Sequence, residues 1–130
     1  MNTKINLLII DDEVIIQQSC TDIFSEKSNQ YIIDTVSSGE KALVALEEKS
    51  FDIILTDLKM PGLPGLKLIS TIKKKFPDTA IIVITGYATV KTAVEAMKLG
   101  AVDFIPKPFT CDEIFDAVEK MAKSLNKGEM

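Results

Sequence analysis

The chain has 130 residues, of which 46% are hydrophobic, which suits one compact domain with a real core. Its net charge of −4 argues against direct contact with nucleic acid, since phosphate binding needs a basic surface. Histidine is absent, which removes the commonest general base, the commonest zinc ligand and any phosphohistidine on this polypeptide.

The first predicted element is a strand over 5–10, "INLLII". It is too short for a signal peptide or a membrane span, so no membrane contact is expected and the compartment reads as cytoplasmic. This run ends on Asp11, Asp12 and Glu13, and an apolar strand should stop on adjacent carboxylates only where their proximity is useful. A helix follows over 13–26. Strands are predicted at 32–36, 52–56, 80–84 and 102–105, with helices at 38–49, 65–75, 89–98 and 111–124 between and after them. Most strands are continuous in Ile, Val and Leu, the pattern of strands buried on both faces of a parallel sheet.

Ser37 with Glu40 and Thr110 with Glu113 match the capping-box pattern at two helix starts. In the last helix Ile114, Val118, Met121 and Leu125 recur at helical spacing and read as core packing. Residues 126–130 read as a frayed tail. Cys20 and Cys111 have no metal spacing and no close partner in sequence, so both read as buried free thiols of a cytosolic protein. Five alternating β/α units predict a single doubly wound α/β domain with its core over about 5–125.

In such sheets the functional crevice lies at the carboxyl ends of the strands. The first strand ends on Asp11 and Asp12, the third on Asp57, the fourth on Thr85, and Lys107 stands just past the fifth. Taken singly these residues say little. Acids commonly favour a helix N-terminus, and "TDLKMPG" alone is a strand running into a turn. The signal is their convergence on one edge.

Carboxylates gathered there repel one another, by about 1 kcal/mol per pair at 4 Å in water and ~4 kcal/mol at a protein-surface dielectric. A divalent cation relieves that cost. Oxygen ligands without His or Cys point to Mg²⁺ rather than zinc. Lys107 adds a fixed positive charge and Thr85 a hydroxyl donor, so the site reads as a holder of an oxygen-rich anion beside the metal. Asp57 is the candidate nucleophile, since carboxylates form aspartyl-phosphates stabilised by metal and lysine.

The segments "IIDDE", "DIILTDLKMPGLPG", "IIVITGYA" and "KLGAVDFIPKPF", on a fivefold β/α rhythm, resemble the response-regulator receiver domains of two-component signalling. The likeness covers residues 5 to about 125, and in detail is greatest to receivers of NtrC-type regulators or hybrid kinases. It implies a flavodoxin-like (βα)5 sandwich with strand order 2-1-3-4-5, an order the general rule for these sheets gives with a receiver as its example.

By position, the resemblance makes Asp57 the phosphoacceptor, Asp12 a direct Mg²⁺ ligand and Asp11 an acid acting through water. The Lys59 carbonyl becomes a further metal ligand, with Mn²⁺ as a substitute ion. Thr85 and Phe104 match the switch hydroxyl and aromatic, Lys107 the phosphate-binding lysine, and Lys107-Pro108 the peptide that is cis in the family. Lys59 and Tyr87 flank the path of hydrolytic water; neither is the amide or acid of fast receivers, which implies slow dephosphorylation. Pro64 stands where the family often has Asp; it suits a first helical position, while Leu63 before it has no capping side chain.

The implied function is a phosphorylation-operated switch of a two-component system or phosphorelay that takes its phosphoryl group from a sensor histidine kinase or histidine phosphotransfer protein. Its fourth helix, fifth strand and fifth helix, including Val90, Lys91, Val94 and Phe115, would form the face read by a partner or a second copy. It would be no enzyme beyond self-directed phosphotransfer and autodephosphorylation. A Mg²⁺-dependent phosphohydrolase of the haloacid-dehalogenase type is the rival, but "DDE" replaces D-x-D after the first strand and little chain remains for a substrate cap. A nucleotide or flavin binder lacks any glycine-rich phosphate loop.

Overall fold

The computed structural model describes residues 4–60, 62–86 and 89–125. Five strands alternate with five helices: β1 (Ile5–Ile10), α1 (Val14–Lys27), β2 (Tyr31–Val36), α2 (Gly39–Glu48), β3 (Ile53–Thr56), α3 (Gly65–Lys75), β4 (Ala80–Thr85), α4 (Val90–Leu99), β5 (Asp103–Pro106) and α5 (Cys111–Leu125). All strand pairings are parallel and the order is β2-β1-β3-β4-β5, as the resemblance implied.

That order explains the burial pattern. The three central strands β1, β3 and β4 are enclosed almost throughout, whereas β2 and β5 form the edges and are only half-buried. Alternate side chains of the central strands serve two cores. Leu8, Ile10, Ile54, Ile81 and Val83 pack against α2, α3 and α4; Leu7, Ile9, Ile53, Leu55, Ile82 and Ile84 pack against α1 and α5. Each fully buried Leu or Ile contributes roughly 1.5–3 kcal/mol, so the sheet centre is the rigid frame for whatever its ends carry.

Register sets the functional edge. Ile10 lies beside Thr56, Thr56 beside Val83, and Thr85 beside Pro106. The ladder continues one step beyond the strands, with Asp57 N donating to Ile10 O at 3.2 Å and Lys107 N donating to Thr85 O at 2.8 Å. Residues 11, 57, 85 and 107 are thereby held at one end of the sheet by backbone bonds.

Local details both support and correct the sequence reading. Thr110 and Glu113 form the expected reciprocal cap. Ser37 does not cap α2. Ser38 does, accepting from Lys41 N, while Glu40 instead accepts from Leu63 N across the fold. A capping box made by Thr89 and Thr92 starts α4, hidden from the sequence pattern because a threonine replaces the usual Glu. Pro64 is the N-cap of α3 rather than its first residue, with φ −59° and ψ 140°. A Cβ built on Gly65 would lie 2.5 Å from the Leu58 Cα, so only glycine lets α3 approach the loop after Asp57 this closely.

Ile114 and Val118 are fully buried, whereas Leu125 is partly exposed at the end of α5. Phe115 is not on the outer face. Its ring lies 5.2 Å from that of Phe24 and 6.2 Å from that of Tyr31, because this side of α5 packs on α1 and β2. Of the two cysteines, Cys20 is buried and Cys111 only half-buried. Residues 126–130, expected to fray, lie outside the described residues.

Candidate functional site

The β1–α1 turn brings in the acids. Asp11 is fully buried, with Oδ1 accepting from Glu13 N at 2.9 Å, and its carbonyl accepts from Gln17 Nε2. Its Oδ2 is buried without a hydrogen bond; the Lys107 ammonium stands at 3.6 Å, within ion-pair range only. Asp12 lies exposed at the lip of the same cleft. From the end of β3 comes Asp57, nearly buried, whose Oδ1 accepts from Lys59 N at 3.0 Å. The Lys59 side chain itself is exposed.

Lys107 ties the edge together. Its Nζ lies 2.9 Å from Asp57 Oδ2 and 3.3 Å from Glu13 Oε1, in addition to its contact with Asp11. The peptide that follows it, Lys107-Pro108, is cis. Burial opposes the charge on Lys107, yet its hydrogen bond to Asp57, the nearby Asp11 charge and the further contacts with Asp57 and Glu13 hold the ammonium above its ordinary range. Thr85, fully buried, and Gly86 complete a cleft of about 370 Å³ with Asp12, Glu13, Asp57, Lys59 and Lys107, room for a phosphoryl group and a hydrated cation.

The structure therefore unites Asp11, Asp12, Asp57, Lys59, Thr85 and Lys107, the residues that sequence reasoning had brought together. Phe104 stands apart, half-buried on β5 against the core beneath α2, α3 and α4. Tyr87 lies outside the described residues. Glu13 was missed as a partner of Lys107, though it stood in the quoted acidic run. Nothing in the spacing announced Gln17, whose Nε2 bridges the carbonyls of Asp11 and Val36.

Burial first of all, then the neighbouring Asp57 and Glu13 charges, raise the Asp11 pKa; the Glu13 N–H and Lys107 only partly counter this. A carboxyl with a folded pKa above its unfolded value costs stability once the pH passes the unfolded value, and the cost is complete above the folded one. At neutral pH the Asp11 charge is thus a liability. Asp11→Asn should raise the melting temperature of the metal-free protein at pH 7, with the gain vanishing below about pH 4. A lower melting temperature at pH 7 would show that the carboxylate is not the strained group.

Among the described residues no three His, Cys, Asp or Glu side chains already converge as a cage for a metal. The Lys107 ammonium stands within 3.6 Å of Asp11, Glu13 and Asp57. The donor set is nonetheless all oxygen, and Asp11 Oδ2 is a buried acceptor in want of a donor or a cation, which fits a hydrated Mg²⁺.

A doubly wound α/β sandwich with an acidic, lysine-bridged cleft at its strand ends defines a flavodoxin-like protein of the CheY kind. Comparison with known proteins takes this further. The family model for the response regulator receiver domain matches residues 7–119, and the chain belongs to that family. Receiver domains are the phosphorylated switches of two-component systems.

The chain is 36% identical over 119 residues to the transcriptional regulatory protein FixJ of Bradyrhizobium diazoefficiens, covering 92% of this chain and 57% of that protein. It is 40% identical over 86 residues to the DNA-binding transcriptional regulator NtrC of Salmonella typhimurium, covering 66% of this chain and 18% of NtrC. The chain thus spans 57% of the length of one of these relatives and 18% of the other. Among solved structures, the response regulator TrrA of Thermotoga maritima, in complex with Mg²⁺-BeF, superposes with a TM-score of 0.79 at 31% identity, over 90% of this chain and 98% of that one.

Proposed function

We propose that this domain accepts a phosphoryl group on Asp57 from a phosphohistidine of a sensor kinase or phosphotransfer protein, and that the modification changes its α4-β5-α5 face to control an output. The observation that supports this most is the Lys107–Asp57 bond at 2.9 Å inside an acidic cleft. A carboxylate oxygen of Asp57 attacks phosphorus, the P–N bond to the donor imidazole breaks, and its electron pair stays on that nitrogen. Lys107, freed from Asp57 as the carboxylate charge is lost, moves its ammonium to the new phosphoryl oxygens. Bound Mg²⁺, with Mn²⁺ as a substitute, would add positive charge at the site, held by Asp12, Asp57 and the Lys59 carbonyl, with Asp11 acting through water.

The domain is on this reading a switch rather than an enzyme, working in the cytoplasm. No helix among the described residues is long and apolar enough to cross a membrane, and the net charge of −4 supports a domain without nucleic-acid contact of its own. The Thr85 hydroxyl follows the phosphoryl group and Phe104 turns inward behind it. The face that reports the change carries exposed Val90, Lys91 and Val94 on α4, and a second copy docking there would form a homodimer.

With Mg²⁺ and acetyl phosphate, purified protein should take up one acid-labile phosphoryl group per chain. Continuous turnover of a generic phosphoester without a stable adduct would favour the hydrolase instead. The lifetime is set by what orients water. Lys59 offers no acceptor, so Lys59→Asn should speed decay of the phosphorylated protein roughly tenfold, about 1.4 kcal/mol of barrier. A decay rate equal to wild type would exclude that side chain from the clock.

A further inference from the structure

Helices α1 and α5 both return from the same end of a parallel sheet, so they run side by side in the same direction. They meet at Phe24 and Phe115, whose rings lie 5.2 Å apart. Lys27, leaning toward the start of its helix as helical side chains do, places its ammonium 5.2 Å from the Phe115 ring and 2.7 Å from Asp112, a second contact between α1 and the first turns of α5. One turn back along each helix leads from Phe24 to Cys20 and from Phe115 to Cys111. Two cysteines 91 positions apart therefore each lie one turn from the same aromatic contact.

We propose that Cys20 and Cys111 form an intramolecular disulfide under peroxide, a redox modification site at the α1–α5 seam. The two thiols differ in a way that orders the chemistry. Cys20 is 1% exposed, and burial, with the charge of a Cys111 thiolate adding to it, pushes its pKa up to about 12. Cys111 is half-buried and meets the oxidant first. Its thiolate attacks a peroxide oxygen, the O–O bond breaks, and the sulfur is oxidised by two electrons to a sulfenic acid with release of hydroxide. The Cys20 sulfur, giving up its proton, then attacks the Cys111 sulfur. The S–O bond breaks and water leaves, so the peroxide has been reduced and the two thiols oxidised.

The bond would pin the first turn of α5 to α1, and Cys111 lies only four residues after Lys107. Oxidation is thereby written into the segment that carries the cleft's ammonium.

The test is hydrogen peroxide treatment of the folded protein, followed by intact mass, alkylation and peptide mapping without reductant. The expected result is joint loss of both free thiols, a mass lower by two hydrogen atoms and a linked peptide pair containing Cys20 and Cys111, all reversed by dithiothreitol. The linked protein should keep its circular dichroism and melt roughly 5 °C higher or more, since the bond closes a long loop. In Cys20→Ala the sulfenic acid should persist on Cys111 and be captured by dimedone. Oxygen addition at Cys111 with Cys20 still reducible and alkylatable, a disulfide between two chains, or loss of native dichroism on oxidation would each overturn the proposal.

Discussion

Asp57→Asn should abolish acid-labile phosphorylation altogether, whether the donor is acetyl phosphate or a kinase. The substitution is nearly isosteric at a residue only 5% exposed, and its amide oxygen can still accept from Lys59 N, so the fold and the loop after β3 should survive. What disappears is the anionic oxygen that holds Lys107 at 2.9 Å and that the proposed transfer needs as its nucleophile. An amide is a far weaker nucleophile, and no other carboxylate stands at the end of β3. Asp11 is buried with its Oδ1 committed to Glu13 N, and Asp12 is at the exposed lip. Uptake measured by mass or radiolabel should therefore fall to background. Equal uptake by the variant would remove Asp57 from the reaction and the proposed switch with it.

The fold was legible because its signals were strong and redundant. Continuous aliphatic runs ended on Asp, Asp and Thr, and each boundary fell within one or two residues of its observed place because the chain changes from apolar to polar there. The main site residues were legible for the same reason, since strand order and register convert strand ends into one edge. What stayed hidden depended on side-chain direction. Whether Ser37 or Ser38 caps α2 turns on one residue's dihedral angles, with Ser38 at φ −154° and ψ 162°. Phe115 sits on a helix whose two flanks are both partly apolar, and only the packing of α1 shows which flank it joins. Glu13 was visible as a charge, but its pairing with Lys107 spans 94 residues and arises from the approach of the β1–α1 and β5–α5 turns.

Lys107→Ala should separate the two jobs of that ammonium. In the resting protein it neutralises Asp11, Asp57 and Glu13, of which the first two are almost wholly enclosed. Removing it leaves enclosed carboxylates facing each other, and the folded state should lose roughly 1–3 kcal/mol, a modest figure because Glu13 is open to solvent and water can enter the vacated space. Phosphoryl uptake should fall further, by about 10²–10³-fold, since a preorganised charge aimed at the transferring group is lost. Divalent cations should move the opposite way. With the competing ammonium gone, Mg²⁺ should bind more tightly and stabilise the variant more than the wild type, read as a larger rise in melting temperature at the same concentration. Slower phosphorylation together with tighter metal binding distinguishes a lysine that acts on the phosphoryl group from one that merely holds the metal site open. A variant with wild-type uptake, or one whose uptake falls only because Mg²⁺ binds more weakly, would assign Lys107 a structural role and leave the phosphoryl charge to the metal alone.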